Sequence, residues 1–339
     1  MPAFATHEIF GEEGYWNLSS EELSQAVANH RNVFHIGCQG PDIFFYNPFM
    51  VGGVWKKNLG IRMHETKVNQ FFRAYLEALL PLKQSWELET GISYFLGFLS
   101  HYSLDSEMHP YIYSKAGYVV DQKGSGARTL SAHQRLEAVV DRQLLMVKRD
   151  CMPSAYYPEK KIKISRQELG VVARLLSFSL KQVYHIGVKP ENVKASYWCM
   201  RTVMRQVYDH SGKRREKVRR FESAVYRNPL ISNMIVSDNL EDEQDAMNQG
   251  REVWQHPWEQ DKSFDRDIWE MYDDALERYQ EYVEAIRPLL TGMIQRTILI
   301  EKQKSRAEWV AVALREQIPK SVRNLENRNY HSGKSIKKR

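Results

Sequence analysis

The sequence predicts an all-α protein that folds as a single large domain. Three segments of its second half (165–185, 191–227 and 264–300) alternate apolar and charged residues with the period of a helix that buries one face. No segment carries the turn signals of a β-hairpin, and no internal repeat is present. The chain has 339 residues, of which 42% are hydrophobic, so it is long enough for one large core.

The first half is expected to contain helices separated by short loops. Ser20 is followed by two glutamates, the pattern of an N-cap and an acidic first turn, so a helix is predicted from there to about His30. Residues 36–60 contain five glycines and two prolines, which indicate loops and turns. Residues 64–80 form an amphipathic pattern that predicts another helix, and Pro81 is expected to end it.

Two further predicted helices carry histidines and carboxylates. The first spans residues 85–109 and is expected to end there, because Pro110 disfavours helical conformation in the residue before it. It contains His101, Asp105 and His109, which are spaced four residues apart and therefore lie on nearly one helix face. Burial of these charged and polar side chains is costly unless something neutralises them. A zinc ion can do so, because it accepts both imidazole nitrogen and carboxylate oxygen as ligands. A hydrogen-bonded pair on the helix surface is the alternative.

The same spacing recurs in the helix predicted from about residue 130 to 148, where His133 precedes Glu137 by four positions. Unrelated surface residues have no reason to repeat this pattern on two helices. The residues of the first half that could bind a metal are His7, Asp42, His64, His101, Asp105, His109, His133 and Glu137. They exceed the four ligands of one zinc ion and predict a cluster of two or three. His35 and His185 lack a partner at ligand spacing and are not expected to bind metal.

Other chemistries fit the sequence less well. A di-iron bundle uses Glu-x-x-His pairs, whereas here the order is reversed and the spacing is longer. The chain contains no P-loop, no dinucleotide-binding glycine fingerprint, no Gly-x-Ser-x-Gly elbow and no Cys-x-x-Cys.

Charge and composition limit the location and the partners. The last twenty residues carry seven basic side chains and one acidic one, so they hold the whole formal net charge of +6. We therefore expect no nucleic-acid partner, and we expect weak contact of the tail with anionic membrane surfaces. Three scattered cysteines, no apolar leader and no apolar stretch of membrane-spanning length predict a cytoplasmic protein. The oligomeric state is not indicated.

The chain is expected to have three parts. Residues 1–150 would form the metal-binding catalytic half, because every candidate ligand lies there. Residues 151–318 would form a helical C-terminal half that packs on it, and residues 319–339 a basic, disordered tail.

The series of candidate ligands resembles the bacterial zinc-dependent phospholipase C family, which is related to the S1/P1-type nucleases. The resemblance is carried by His7, Gly-Pro-Asp42, His64, His101-x3-Asp105-x3-His109 and His133-x3-Glu137. It is close over about residues 1–150, and it implies a multi-helix bundle of the phospholipase C and P1 nuclease type. It also implies one zinc ion held by Asp42, His64, His101 and Asp105, a second held by His109, His133 and Glu137, and a third that Asp105 shares with His7. Whether two or three zinc ions bind, and whether the N-terminus is a ligand, stays open.

The activity that the resemblance implies is that of a zinc-dependent phosphodiesterase of phospholipase C type, which hydrolyses a phosphoester through metal-bound hydroxide. Asp42 is the candidate base for the attacking water. The substrate would be a phospholipid or another phosphodiester. Aromatic residues near Asp42 could form an apolar wall for it, or pack in the core: Phe44, Phe45, Tyr46, Phe49 and Trp55. An S1/P1-like nuclease and a non-catalytic protein stabilised by zinc are the alternative functions.

Overall fold

The structure of the chain is a computed structural model that describes residues 4–47, 58–120, 126–225, 231–242, 244–302 and 307–336. These residues form fourteen α-helices, two short 3₁₀ helices and one small hairpin. The helices are α1 (Phe4–Trp16), α2 (Glu21–Asn29), α3 (Arg31–Gly37), α4 (Leu59–Glu65), α5 (Val68–Leu79), α6 (Ser85–Lys115), α7 (Gly126–Arg149), α8 (Pro158–Lys161), α9 (Arg166–Tyr184), α10 (Pro190–Val207), α11 (Arg214–Val225), α12 (Ile231–Met234), α13 (Ile268–Glu301) and α14 (Ala307–Arg323). The 3₁₀ helices span Gly40–Phe44 and Pro153–Ala155. The prediction of an all-α fold is confirmed.

The hairpin pairs β1 (Trp254–Gln255) with β2 (Ser263–Phe264) in antiparallel orientation, with Trp254 opposite Phe264. No turn signal in the sequence indicated this hairpin. Strands of two residues are too short to show the alternation of apolar and polar residues by which a strand is predicted.

Helix α6 is the central element. Every residue from Thr90 to Ser106 is buried, because α3, α9 and α13 pack around this part of the helix. An apolar surface on all sides is what a helix needs in such a position. The buried apolar residues form one continuous cluster from Phe4 to Tyr330, which joins the first and second halves of the chain.

Helices α3 and α6 cross at two glycines. A Cβ atom on Gly97 would lie 2.2 Å from the carbonyl oxygen of Phe34, and one on Gly37 would lie 2.3 Å from the carbonyl oxygen of Tyr94. No larger residue fits at either position without a shift of a backbone. The crossing holds the 3₁₀ helix that follows α3 against α6, and this helix contains Asp42.

The helix predicted over residues 64–80 is two helices. Between α4 and α5, Thr66 is extended and Lys67 has a left-handed conformation with φ of 60°. Asn58 begins α4, since its side chain accepts a hydrogen bond from the amide of Gly60 at 2.7 Å. The break leaves His64 in the last turn of a short helix, with a direction that a continuous helix would not give it.

The prediction that α6 ends before Pro110 is also wrong, because the helix continues to Lys115. Proline has no amide hydrogen, so the carbonyl group of Ser106 lacks its helical donor. Nη2 of Arg328 lies 3.4 Å from this oxygen and donates to it instead. Gly333 lies against the same oxygen, since a Cβ atom there would approach it to 2.5 Å. A partner from elsewhere in the chain therefore compensates the interruption.

The tail predicted to be disordered over residues 319–339 folds onto the domain as far as residue 336, and the remaining three residues lie outside the described part. Residues 319–323 complete α14, and the C-terminal segment (residues 324–336) follows it. Leu325 and Tyr330 of this segment are buried. Its charges are partly paired, because Arg328 contacts Glu107 and Glu326 lies 2.9 Å from Arg278. The excess of basic residues gave the segment the composition of a disordered tail, although it contains these ion pairs and two buried apolar residues. No helix of the described residues is long and apolar enough to cross a membrane.

Candidate metal centre

The eight predicted ligands come from five elements of the structure. His7 lies on α1, Asp42 on the first 3₁₀ helix and His64 on α4, while α6 and α7 carry the remaining five. The structure brings them together in three groups, and within each group the donor atoms lie within 4.8 Å of one another. The groups are His7–His101–Asp105, Asp42–His64–His101 and His109–His133–Glu137. All eight are buried except His109, which is slightly exposed.

Asp105 is at the centre of the arrangement. Its Oδ2 atom lies 2.9 Å from Nε2 of His101, 3.4 Å from Nε2 of His64 and 3.5 Å from Nδ1 of His109. Its Oδ1 atom lies 3.3 Å from Nε2 of His7. Four imidazoles thus surround one carboxylate, which is the position that a bridging ligand would occupy.

The outer members of the cluster complete the three groups. Oδ1 of Asp42 lies 3.3 Å from Nε2 of His64. Oε1 of Glu137 lies 3.0 Å from Nε2 of His133 and 3.5 Å from Nε2 of His109. The i,i+4 spacing therefore does place His133 and Glu137 of α7 in contact, and α7 faces the end of the row on α6.

Backbone carbonyl groups orient two of the imidazoles. Nδ1 of His101 lies 3.1 Å from the carbonyl oxygen of Cys38, and Nδ1 of His64 lies 2.8 Å from that of Gly60. A carbonyl oxygen can only accept, so Nδ1 must carry the proton in both rings. When each ring is neutral, its Nε2 atom is then the nitrogen with the lone pair, and it is directed at the centre, as in known zinc sites.

Several buried atoms of the centre make no hydrogen bond within the described part of the chain. They are Nδ1 of His7, Nε2 of His101, Oδ2 of Asp105 and Nδ1 of His133. Buried polar atoms without a partner are costly and rare in native proteins. Imidazole nitrogens and carboxylate oxygens are ligands that zinc accepts, so this donor set fits zinc.

A small cavity lies within the cluster. Its volume is about 20 Å³, and its walls include His7, Asp105, His109 and Glu137. This is enough for one water molecule or one ion. The cavity therefore supplies room for a ligand between the first and third groups.

The electrostatics of the centre leave its carboxylates ionised. Burial raises the pKa of Asp105, but the charges of His101, His109 and His7 outweigh burial and hold the pKa well below its usual range. Burial likewise opposes ionisation of Glu137, and the charge of His133 lowers its pKa well below the usual range. Ionised carboxylates are the form that binds cations.

Two histidines show opposite protonation tendencies. Burial alone would lower the pKa of His64, but the neighbouring carboxylates of Asp105 and Asp42 raise it to about 10. Burial lowers the pKa of His101 below its usual value, although the charge of Asp105 opposes this shift. A metal ion that binds at His64 must therefore displace a proton from that ring.

Asp141 supports the centre without belonging to any of its groups, and it was not among the predicted residues. This buried residue of α7 accepts hydrogen bonds from the amide groups of Ala5 (3.3 Å) and Thr6 (2.8 Å), and from the hydroxyl group of Tyr208 (2.7 Å). A carboxylate at a helix N-terminus is stabilising, and here it fixes the start of α1 and the direction of His7. The signal was available, because Asp141 lies four residues beyond Glu137 and extends the i,i+4 row.

His35, which has no partner at ligand spacing in the sequence, meets two acidic residues of α1 in the fold. His35 contacts Glu12 and lies 3.6 Å from Oε1 of Glu8, and the three form a fourth cluster of buried ligand-type residues. Cations already neutralise this cluster, since Lys161 lies 3.2 Å from Glu8 and Nε of Arg31 donates to Glu12 at 2.8 Å. None of the three acidic or imidazole side chains has a buried atom without a hydrogen bond in the described structure. The cluster is a charge-balanced network that needs no ion.

The predicted aromatic wall is only partly realised. Phe44 and Tyr46 are buried in the core, as the alternative interpretation expected. The ring of Phe45 is partly exposed and its centroid lies 5.6 Å from that of His64. Phe49 and Trp55 lie outside the described residues.

Another aromatic group lies beside His133 and was not predicted. The ring centroid of Tyr113 lies 4.7 Å from that of His133 and 5.3 Å from that of Trp258. Tyr118 contacts both Tyr113 and Trp258, and all three rings are partly exposed. Tyr113 lies four residues after His109 on α6, so its helix face was predictable, whereas the contact with Trp258 depends on the fold of the second half.

The C-terminal segment contributes His331, which the sequence analysis did not consider as a site residue. Its ring stacks on that of His64 with a centroid distance of 5.1 Å, and it lies 5.7 Å from the ring of His109. No sequence pattern indicated this contact, because His331 stands alone in a basic segment far along the chain from every predicted ligand.

Comparison with known proteins identifies the family. The family model described as zinc dependent phospholipase C matches residues 6–184, which is more than half of the chain and includes all eight predicted ligands. Neither a curated protein nor a solved structure shows significant similarity to the chain. The resemblance inferred from the ligand series is thus confirmed. The chain belongs to the zinc-dependent phospholipase C family.

Proposed function

We propose that the protein is a zinc-dependent phosphodiesterase of phospholipase C type. The observation that supports this most directly is the convergence of eight nitrogen and carboxylate ligands, several of which have buried lone pairs without a hydrogen bond. Family membership implies a zinc-dependent hydrolase. The donor set suits at least two ions, because each group supplies three ligands around its own centre.

The candidate ligands would bind two or three zinc ions. Asp42, His64, His101 and Asp105 would hold one zinc ion, His109, His133 and Glu137 another, and His7 with Asp105 a third where it is present. Zinc bound there lowers the pKa of a coordinated water molecule and neutralises charge on phosphate oxygens. Fixed ligands on rigid helices would hold these charges in place before the substrate arrives, which is how preorganised sites lower activation barriers.

Asp42 is the candidate for proton acceptance. Burial raises its pKa, but the hydrogen bond with His64 and the charge of His101 lower it, so the carboxylate is ionised at neutral pH. It lies at the edge of the cluster rather than at its centre, next to the partly exposed ring of Phe45. We propose that its free oxygen accepts a proton from the attacking water, while the other oxygen stays directed at the group.

A nuclease of the S1/P1 type is the second candidate. It is favoured by the partly exposed rings of Tyr113, Tyr118 and Trp258 beside His133, on which a nucleobase could stack. The same rings could equally contact an apolar substituent of a lipid. A substrate assay that includes both a lipid and an oligonucleotide distinguishes the two functions.

The test combines metal analysis with a substrate screen. We expect at least two zinc ions per chain in protein expressed with added zinc, measured by elemental mass spectrometry. The screen would compare a phosphatidylcholine, a synthetic phosphodiester and a single-stranded oligonucleotide, and we expect turnover of the first two. One zinc ion or fewer per chain would refute the cluster, and turnover of the oligonucleotide alone would assign the nuclease.

A further inference from the structure

The C-terminal segment covers one side of the metal centre. The amide of Tyr330 donates to the carbonyl oxygen of His64 at 3.0 Å, and the carbonyl oxygen of Tyr330 accepts from Nδ1 of His109 at 3.1 Å. These two bonds connect the segment to donors of two different groups. Tyr330 itself is buried, and its ring lies 5.0 Å from that of His64 and 5.8 Å from that of His101.

A preformed turn directs the next residue to the same place. Oδ1 of Asn329 accepts from the amide groups of His331 and Ser332, both at 2.9 Å, and its carbonyl oxygen accepts from the amide of Gly333 at 2.8 Å. Gly333 has φ of 60°, which glycine adopts without strain. The turn therefore holds His331 over His64 by backbone geometry.

His331 is the part of this segment that faces both the centre and the solvent. Its ring stacks on His64, lies 5.7 Å from the ring of His109 and lies 5.3 Å from that of Tyr113. The residue is partly exposed, whereas its neighbours Tyr330 and Ser332 are buried. It also belongs to none of the three groups of converging donor atoms. Its position is that of a cover, and not that of a ligand.

Ser332, Gly333, Lys334 and Ser335 border a cavity of about 490 Å³, which polar and charged residues largely line. The turn is tethered at two points, because the carbonyl oxygen of Gly333 accepts from Nε of Arg328 at 2.6 Å and that of Ser332 lies 3.2 Å from Nε2 of His256. Displacement of the turn into the cavity must therefore break these two bonds.

We propose that His331 closes the side of the metal centre formed by His64 and His109, and that it limits the size of the phosphoester that reaches the zinc ions. This inference rests on the proposed function. Esters with small substituents would enter with the segment in place, and esters with bulky substituents on this side would enter only when the turn moves. His331 would therefore determine specificity, while the metal ligands carry out the hydrolysis.

The test uses the zinc-loaded full chain and four variants. His331→Ala removes the cover, His331→Phe keeps a ring of similar width without nitrogen atoms, and His331→Trp enlarges it. Lys334→Ala is the matched control, because this exposed residue of the same turn contacts no predicted ligand. The first measurement is the rate at which pyridine-2,6-dicarboxylate removes zinc, followed with a colorimetric indicator. The second is the ratio of kcat/KM for a short-chain phosphatidylcholine to that for bis(p-nitrophenyl) phosphate.

We expect the rate of zinc loss, and the ratio of kcat/KM for the phosphatidylcholine to that for bis(p-nitrophenyl) phosphate, to rise several-fold in His331→Ala. Both quantities should fall in His331→Trp. Both should stay at the wild-type level in His331→Phe and Lys334→Ala. Equal rates of zinc loss in the wild type, His331→Ala and His331→Trp would overturn the proposal. If His331→Ala does not fold, the comparison of His331→Trp with the wild type tests the proposal alone. Reduced zinc content in both His331→Ala and His331→Phe would overturn it in favour of a ligand role. Faster zinc loss without turnover of either substrate would refute the proposed function and leave the cover intact.

Discussion

The crossing of α3 and α6 offers a test in which one substitution has opposite effects at two places. Gly97→Ala adds a methyl group 2.2 Å from the carbonyl oxygen of Phe34 and 2.8 Å from the amide nitrogen of Cys38. Gly170→Ala adds the same group in α9, where the nearest atom is Nη1 of Arg174 at 3.8 Å. Both positions are helical, so the change in helix propensity is the same and the difference between them is packing.

The expected magnitudes follow from two competing effects. Alanine in place of glycine inside a helix stabilises by about 1 kcal/mol. At Gly97 the obstructing atoms are backbone atoms of α3, which cannot rotate away, so an overpacking cost of about 3 kcal/mol or more is expected. The free energy of unfolding should therefore fall by about 2 kcal/mol or more in Gly97→Ala. It should rise by about 0.5–1 kcal/mol in Gly170→Ala.

The displacement should also reach the metal centre. Asp42 follows α3 directly, and His101 lies one turn beyond Gly97 on α6. A shift of α3 away from α6 separates these two donors of one group, so Gly97→Ala should bind zinc more weakly while Gly170→Ala binds it normally.

Urea unfolding at one fixed, saturating zinc concentration measures the stability of both variants, since bound zinc itself stabilises the folded state. Competition with a chelator measures the affinity. If Gly97→Ala proved as stable as the wild type and retained its zinc affinity, the close helix crossing described here would be wrong.

Three further predictions concern the centre, the C-terminal segment and a carboxylate of α9. Asp105→Asn should abolish turnover, reduce zinc content and lower the melting temperature, because four imidazoles share this carboxylate, whereas His185→Ala should retain full zinc content by elemental analysis; the reverse pattern would invalidate the ligand assignment. Leu325→Ala should lower the free energy of unfolding by about 2–4 kcal/mol in urea titrations, since the side chain is fully buried, and a neutral result would show that the segment does not belong to the fold. A hydrogen bond from His30 lowers the pKa of Glu168 from its usual 4.5 to about 2, so the carboxylate stabilises the fold above pH 4.5 and this contribution is lost as the pH falls towards 2. The stability difference between the wild type and Glu168→Gln should therefore shrink over that interval, and a difference that grows on acidification would contradict the sign.

Local patterns predicted the parts of the centre that one helix supplies. The rows on α6 and α7 follow from helical geometry alone, since residues four apart share a face regardless of what surrounds the helix. The convergence of His7, Asp42 and His64 on those rows has no local cause. It was inferred from the order of residues in a family, and no periodicity could have provided it.

The failures share a physical cause, which is compensation from distant parts of the chain. A proline usually ends a helix. At Pro110 the helix continues, because Arg328 donates to the carbonyl group that the proline leaves unpaired. The basic tail has the composition of a disordered segment, yet buried Leu325 and Tyr330 anchor it. His35 has no acidic residue four positions away on its own helix, and Glu8 and Glu12 reach it from α1. Spacing along the sequence cannot reveal such partners.

The docking of the C-terminal segment has a consequence for the order of events during folding. All eight candidate ligands lie between residues 7 and 137, so they can assemble from contacts within the first half of the chain. The cover comes from residues near position 331, and contacts between such distant residues form late because a long loop must close first. We expect zinc ions to enter through the open side before the segment docks and to be retained afterwards. Metal uptake by the newly made chain and metal exchange by the finished protein would then follow different routes, with the first fast and the second limited by the motion of a single turn.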